Sequence, residues 1–547
     1  MLAEHNEKIL PKLDAASLKR LAAFGRKRST KAGEVLFEPG ETNVGVFVVL
    51  DGRLEILNPN NGEVIVVHEP GEFSGEVIQL TGRPALVRGE TKQPSTLIEI
   101  DRTNLQKIIQ TEPALSEIFL QAYMLRRALL VESGTGDVVL VGSRHSPGTL
   151  RLKGFLSRNG HPHTYLDVDR DTGVQELLDQ FHVSIEDIPV LICHGQKVLR
   201  NPSDAEAAAC LGLNADTDEQ KIYDVIIAGA GPSGLAAAVY AASEGLRALV
   251  LEGNAPGGQA GCSSRIENYL GFPTGISGQE LAERAFVQAE KFGAQIDIAR
   301  PAAALKCRQA PFAVELADGT TVQGRTVIVA TGATYRRLPL PNLGHFEGIG
   351  VYYGATNVEA QLCQGDEVAI VGGGNSAGQA AVFLSDRVKH VHLLVRGPGL
   401  SDTMSRYLIR RIEKCDAVTL RPFTEITALE GTEHLERVRW RNSQTGEEET
   451  RDVRHVFLMT GAAPNAEWLD GCLTLDGKGF IKTGPDMSAD ELASAKWPLR
   501  RAPYLLETSV PRVFAVGDVR SGSVKRVASA VGEGSIAIQF LHRVLSE

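Results

Sequence analysis

YDVIIAGAGPSGLAAAVYAASEGLRALVLEG, residues 223–253, decides how the rest of the chain is read. An apolar strand, Val225–Ala228, runs into Gly229-Ala230-Gly231-Pro232-Ser233-Gly234 and then into an Ala-rich helical stretch. Gly229 permits a tight turn, Gly231 lets backbone amides approach a pyrophosphate, and Gly234 allows helix and strand to pack closely. The positive end of the helix dipole then faces the phosphates. A second strand, ALVLE, ends in Glu252, 18 residues after Gly234, where a carboxylate suits two ribose hydroxyls. Strand, glycines, helix and acid in this order predict a dinucleotide site.

The pattern recurs at 366–397, DEVAIVGGGNSAGQAAVFLSDRVKHVHLLVRG. Gly372-Gly373-Gly374-Asn375-Ser376-Ala377 follows the apolar strand Val368–Val371. The next strand, HVHLLV, ends in Arg396 rather than an acid. An arginine there holds a 2′-phosphate where a carboxylate would hold a 2′-hydroxyl. The second site is therefore expected to take NADPH in preference to NADH. Two such turns predict two doubly wound α/β lobes.

Working outward, the chain has 547 residues, enough for about three domains. Hydrophobic residues are 43% and charged residues 23%, which excludes disorder over most of the chain. Its net charge of −10 argues against a general binder of nucleic acid or anionic membrane. MLAEHNEKIL has no basic flank and apolar core, so no secretory signal is expected. The apolar stretch near 225–242 is broken by Gly229, Gly231, Pro232 and Gly234 and is not a membrane span. The seven cysteines are widely spaced with no CxxC, which argues against a disulfide-stapled secreted chain and for a reducing cytoplasm. No metal-ligand cluster is expected.

Ahead of the paired lobes lie two further segments. Residues 1–130 open with a helical pattern from Ile9 to Phe24. They become β-rich over VGVFVVLDGRLEIL (44–57) and EVIVVHEPGEF (63–73), and return to helix at about 103–130. After ESGTGD (132–137), residues 137–212 read β-α-β-α-β-β-α, the second helix being GVQELLDQF (173–181). NADTDEQ (214–220) marks the next boundary.

With ATGA (330–333), TGAAPN (460–465) and VFAVGD (513–518), residues 223–547 resemble the low-molecular-weight thioredoxin reductases. The resemblance implies a flavoprotein with FAD and NADPH. It places Gly257, Gly258, Gln259 and Asn268 of NAPGGQAGCSSRIENYLGFP (254–273) in the flavin loop and Thr331 and Gly332 beside it. It puts Gly517-Asp518 on the ribityl chain, and Arg526-Val527-Ala528 where a helix N-terminus meets the isoalloxazine. The departure is at the redox centre. The family's Cys-Ala-Thr-Cys falls on Gly354-Ala355-Thr356-Asn357, and neither Gly354 nor Asn357 can form a disulfide. Cys262 and Cys363 are the remaining thiols to watch, and no residue is assigned as catalytic.

The middle segment resembles a thioredoxin or glutaredoxin fold, with Ile188-Pro189 at the position of that family's cis-proline. Ser143-Arg144-His145-Ser146 stands where its CxxC would be. The first segment resembles a cyclic-nucleotide-binding β-roll through GVFVVLDGRLEI and PGEFSGE. Gly75-Glu76 fits the family's ribose-binding pair. The phosphate-binding arginine, nine residues later, is replaced by Ala85, with Arg83 and Arg88 out of register. Losing a charge-assisted pair costs about 1.5–3 kcal/mol, roughly one to two decades of affinity.

The expected architecture is multidomain. It comprises an N-terminal β-roll (1–131), a central thioredoxin-like α/β domain without CxxC (137–212), and a C-terminal two-lobe FAD/NAD(P)-binding Rossmann-type α/β region. In that region FAD takes 221–345 with 471–547 and NADPH takes 346–470. The expected activity is an NADPH-dependent FAD oxidoreductase passing electrons to a quinone, another small oxidant or a protein carrier. Two alternatives are a thioredoxin-disulfide reductase using unusual thiols and a non-turnover flavin sensor governed by its N-terminal domains. Ferredoxin–NADP reductases of this type also lack the CxxC but cover the flavin with a C-terminal extension. The 29 residues after Asp518 leave no room for one. A cytoplasmic homodimer, with residues 1–212 open to a protein partner, completes the expectation.

Overall fold

The computed structural model describes residues 7–547 except 60, 134–137, 172–186, 194–196, 215–220, 264, 433 and 470. The helix expected at 173–181 lies outside the described residues. Two compact units are present. One comprises residues 1–218 with 287–300, the other 219–286 with 301–547.

Residues 7–9 are helical, and helix Ala15–Leu21 follows, its N-cap Asp14 side chain accepting from the Ser17 backbone N–H at 2.7 Å. The helical stretch expected from Ile9 is interrupted between them, because Pro11 disfavours helix in the residue before it. The β-rich region folds as two antiparallel sheets. One runs in the order Arg26–Thr30, Ser95–Ile100, Val46–Asp51 and the other Glu34–Phe37, Arg88–Thr91, Leu54–Leu57, Val64–His68. Gly52 makes the expected turn between Val46–Asp51 and Leu54–Leu57 at φ 90°, where a Cβ would meet the Ser95 hydroxyl. Phe37, Phe47, Leu54, Ala85, Leu86 and Leu97 close the core. Helices Arg102–Thr111 and Pro113–Ser133 follow.

Beyond them a four-stranded sheet has the order Lys197–Arg200, Val190–Cys193, Val138–Gly142, Thr164–Asp167. The last two strands are parallel and the other pairings antiparallel. Ser146 caps helix Pro147–Arg158, and Ser203 with Glu206 forms a capping box on helix Asp204–Cys210. The Ile188–Pro189 bond is cis.

In the second unit Ala248–Glu252, Ile222–Ala228, Thr321–Val329 and Val513–Ala515 run parallel, with Phe312–Leu316 and Ala302–Lys306 antiparallel beyond. A second parallel sheet has the order Val351–Tyr352, His455–Leu458, Glu367–Val371, His390–Leu394, Val418–Arg421. The chain leaves the first lobe through Ala333–Tyr335 and returns through Ala462–Pro464, and these two short strands pair antiparallel. Each lobe carries its own core, one around Tyr223, Val327 and Val513, the other around Ile370, Leu393 and Phe457.

One expectation is corrected. Cys193 is bonded to Cys210, and Cys307 to Cys472, with Cα atoms 6.6 and 6.0 Å apart. Cys307 and Cys472 are 165 residues apart, and linear spacing is silent about thiols that the sheet edge and the returning chain bring together.

Candidate flavin and pyridine-nucleotide sites

Gly229 sits at φ 105°, and a Cβ there would lie 2.4 Å from the Ala330 carbonyl oxygen. A Cβ on Gly234 would lie 1.9 Å from the Gly229 oxygen, so the helix packs directly on the turn. Gly231, by contrast, faces open space as the N-cap of helix Pro232–Ser243. This is the cradle a diphosphate requires. The Glu252 carboxylate accepts from Ala230 N at 2.8 Å and Asn254 N at 2.9 Å, which turns it toward the same loop.

The segment 257–262 crosses this turn. Gly257 N–H donates to the Ala230 carbonyl at 2.8 Å, and a Cβ on Gly258 would sit 3.1 Å from the Gly231 Cα. The Gln259 amide donates to the Ala333 carbonyl at the start of the interlobe strand. Asn268 is exposed, next to Tyr269, which stacks on Phe272. Gly517, at φ 72°, faces the Ser233 hydroxyl, and its N–H donates to Glu533 at 2.7 Å. Burial, helped by nearby Glu533, holds the Asp518 carboxyl above its ordinary pKa. Arg526 occupies the N-cap position of helix Val527–Ser546 without a side-chain capping hydrogen bond. A Cβ on that helix's Gly534 would meet the Ser233 carbonyl, so Val527 and Ala528 open a helix packed on the one that leaves the first turn. Gly229, Gly231, Ser233, Gly258 and Gly517 thus converge, and the set fits a flavin dinucleotide.

At the second turn Gly372 has φ 145°, and a Cβ there would meet the Met459 carbonyl, while Gly374 faces open space. Ala377 is fully buried. Asn375 accepts from Ser405 N at 2.7 Å, and the Thr403 hydroxyl donates to the Gly373 carbonyl at 2.6 Å. Ser376 shares a hydrogen bond with the Tyr335 hydroxyl. Arg396, just past strand His390–Leu394, is exposed and available to a phosphate.

Residues 223–534 match the pyridine nucleotide-disulphide oxidoreductases, and residues 27–112 match the cyclic nucleotide-binding domain. The chain belongs to the pyridine nucleotide-disulphide oxidoreductase family. It is 33% identical over 328 residues to a thioredoxin reductase of Mycolicibacterium smegmatis, covering 60% of this chain and 98% of that one. It is 32% identical over 369 residues to NADPH-dependent thioredoxin reductase 3 of Arabidopsis thaliana, covering 64% of this chain and 66% of the relative. The crystal structure of T. acidophilum thioredoxin reductase superposes with a TM-score of 0.53 at 30% identity, over 59% of this chain and 99% of that one. This oxidoreductase is an NADPH-dependent flavoprotein, and its N-terminal segment is a cyclic nucleotide-binding domain.

Glycine stands at position 354 and asparagine at 357. A Cβ on Gly354 would lie 3.5 Å from the Cβ of Cys262. Asn357 opens helix Asn357–Leu362, and Cys363 is fully buried with its thiol pushed up to about 12 by burial. Cys262 is half-buried. Ser143 donates to Asp169 at 2.7 Å and Ser146 caps a helix, so both are ordinary polar residues.

In the nucleotide-binding domain Glu76 is buried and accepts from Arg127 at 3.2 Å. Ala85 is fully buried. Arg88 pairs with Glu38 and Glu90, and Arg83 faces Glu290 at 3.8 Å.

Several residues that hold the site together escaped the motif reading. Asn465 donates to the Thr331 carbonyl at 2.9 Å, accepts from its hydroxyl at 2.6 Å, and bonds Gly332 through its own N–H at 3.0 Å. It lies in TGAAPN, which was visible. Glu533, Thr403 and Ser405 carry no local signal.

Proposed function

We propose that this oxidoreductase draws a hydride from NADPH and delivers the electrons to an acceptor other than a disulfide of its own: a quinone, another small oxidant or a protein carrier. The observation that carries this is glycine at 354, next to Cys262 of the flavin loop, with asparagine at 357 in place of a second thiol. When bound, FAD supplies the hydride chemistry. Gly229, Gly231, Pro232, Ser233 and Gly234 hold its diphosphate, Glu252 its ribose, and Asp518 its ribityl chain. Gly258, Gln259, Asn268, Thr331 and Gly332 line the loop side, and Arg526, Val527 and Ala528 present the helix N-terminus. In the other lobe Gly372, Gly374, Asn375, Ser376 and Ala377 hold NADPH and Arg396 its 2′-phosphate. With no dithiol to relay electrons, the acceptor must dock against the flavin itself.

The module boundaries 1–131, 137–212, 221–345 with 471–547, and 346–470 belong to the same reading. The strand order of 138–200 supports a thioredoxin-like module that lacks its redox pair. Dependence on NADPH favours the cytoplasm, and the family likeness a homodimer. The likeness to thioredoxin reductases keeps a second reading in view, disulfide reduction through Cys262. Steady-state NADPH oxidation with thioredoxin, a disulfide reagent, ferricyanide and a quinone separates the two. Turnover with the last two alone supports the proposal, and thioredoxin turnover lost in Cys262→Ser supports the second reading.

A further inference from the structure

The Cys307–Cys472 bond joins the two separated halves of the first lobe. Cys307 follows edge strand Ala302–Lys306, on the half that precedes the inserted lobe. Cys472 lies on the half that follows it. Every strand of the second parallel sheet, from Val351–Tyr352 to His455–Leu458, falls between the two cysteines, and the bond closes a loop with a sequence separation of 165. Both residues are half-buried against the core that holds Leu305, Phe312, Leu469 and Leu473, which leaves the bond open to a small dithiol.

The segment just beyond Cys472 supports the loop of Asp518. Residues 474–482 form a hairpin, in which Lys482 N–H donates to the Thr474 carbonyl at 3.0 Å and Asp476 N–H to the Phe480 carbonyl at 2.8 Å. Its returning arm is bonded to the residues that follow Asp518. Ile481 N–H donates to the Val519 carbonyl at 3.1 Å, and the Ile481 carbonyl accepts from Ser521 N–H at 2.8 Å. The Asp476 carboxylate accepts from the Ser521 hydroxyl at 2.7 Å. Lys525 donates to the Asp518 carbonyl at 3.0 Å with its ammonium 4.7 Å from the Phe480 ring centre. The covalent tie at Cys472 thus stands at the foot of the hairpin on which Gly517-Asp518 rests.

We propose that Cys307–Cys472 is a redox-controlled staple of the flavin site, the disulfide form holding FAD tightly and the dithiol form releasing it. Joining the ends of a long loop removes freedom that the open chain explores. Reduction lets the returning segment leave the edge strand, the hairpin moves with it, and Asp518 loses its support. In the reductive step a thiolate of an external dithiol attacks one sulfur, and the other cysteine departs as a thiolate and takes up a proton. The second thiol of the reagent then displaces the first cysteine. Two electrons and two protons pass to Cys307 and Cys472, and the dithiol becomes a disulfide. An oxidised disulfide partner runs the exchange backward. This rests on FAD lying along Gly229–Gly234 and Asp518, and not on the identity of the electron acceptor.

The test is FAD release from the holoenzyme on dilution, read as the rise of free-flavin fluorescence. Alkylation and mass spectrometry report the state of each cysteine. Protein treated with oxidised glutathione is compared with protein reduced by dithiothreitol. Reduction should speed release about fivefold or more. Cys307→Ser should release FAD at the reduced rate under both conditions, and where that variant does not fold the wild-type comparison decides alone. Cys193→Ser removes the other disulfide and should keep the wild-type response. Equal release from oxidised and reduced wild type would overturn the staple. So would Cys307 and Cys472 that remain open to alkylation after glutathione treatment, or a response lost in Cys193→Ser. A chain that takes up no FAD in either state would overturn the flavin assignment itself, and the staple with it.

Discussion

Gly354 faces Cys262 at a distance suited to a disulfide: the Cβ positions are 3.5 Å apart, at the near edge of the range such bonds use. Gly354 carries no sulfur to use that approach. Gly354→Cys should therefore form a bond to Cys262 under mild oxidation. Thiol titration should show two fewer reactive groups than in the reduced variant, and Cys262→Ser in the same background should abolish the loss. An unchanged count would mean the two segments do not meet in solution.

Arg396 is exposed at the end of its strand and should select the 2′-phosphate. A charge-assisted contact is worth about 1.5–3 kcal/mol, so Arg396→Ala should weaken NADPH by roughly 10- to 100-fold and leave NADH nearly unchanged. Rapid-mixing measurements of flavin reduction with each nucleotide read this directly. A wild type that prefers NADH would show that another group reads the phosphate.

The N-terminal domain should not bind cAMP or cGMP at micromolar concentration. Ala85 supplies no cation, Arg88 is committed to Glu38 and Glu90, and Glu76 is held by Arg127. Calorimetry on the full chain checks this. Micromolar binding would mean that Arg83 leaves Glu290 to take the phosphate.

The first unit should be acid-labile. Burial depresses His68 to about 4 and His161 to about 3, with Arg126 and Arg127 respectively adding to the effect. Unfolded, both imidazoles take up a proton near pH 6.5, so their contribution is complete above that value and is lost as pH falls toward the folded values. Each tenfold difference in proton affinity between the folded and unfolded chain is worth about 1.4 kcal/mol. Glu290 works in the opposite sense. Its raised pKa makes the folded state take up a proton first, so it adds stability as pH falls from about 7 toward 4.5. Glu290→Gln should therefore steepen the fall in melting temperature between pH 6.5 and 4.5. A parallel profile in that variant would show that Glu290 does not titrate there.

Local signals made the paired lobes and their glycine turns readable, because Gly229, Gly231, Gly234 and Gly372 do their work within one strand-turn-helix unit. The same holds for the Asp51-Gly52 turn. What escaped depends on folding. Cys307 meets Cys472 only after the chain has left the first lobe and returned. Glu533 reaches Gly517 from the C-terminal helix, and Ser405 closes on Asn375 from 30 residues away. Glu290 looks in sequence like any acid on an amphipathic helix, and only the fold buries it against Arg83.

Anaerobic reduction by NADPH followed by mixing with oxidised thioredoxin or with a quinone puts the central claim to its most direct test. The reduced flavin should be reoxidised by the quinone and persist in the presence of thioredoxin, in the wild type and in Cys262→Ser alike. Rapid reoxidation by thioredoxin in the wild type, lost in Cys262→Ser, would contradict the account.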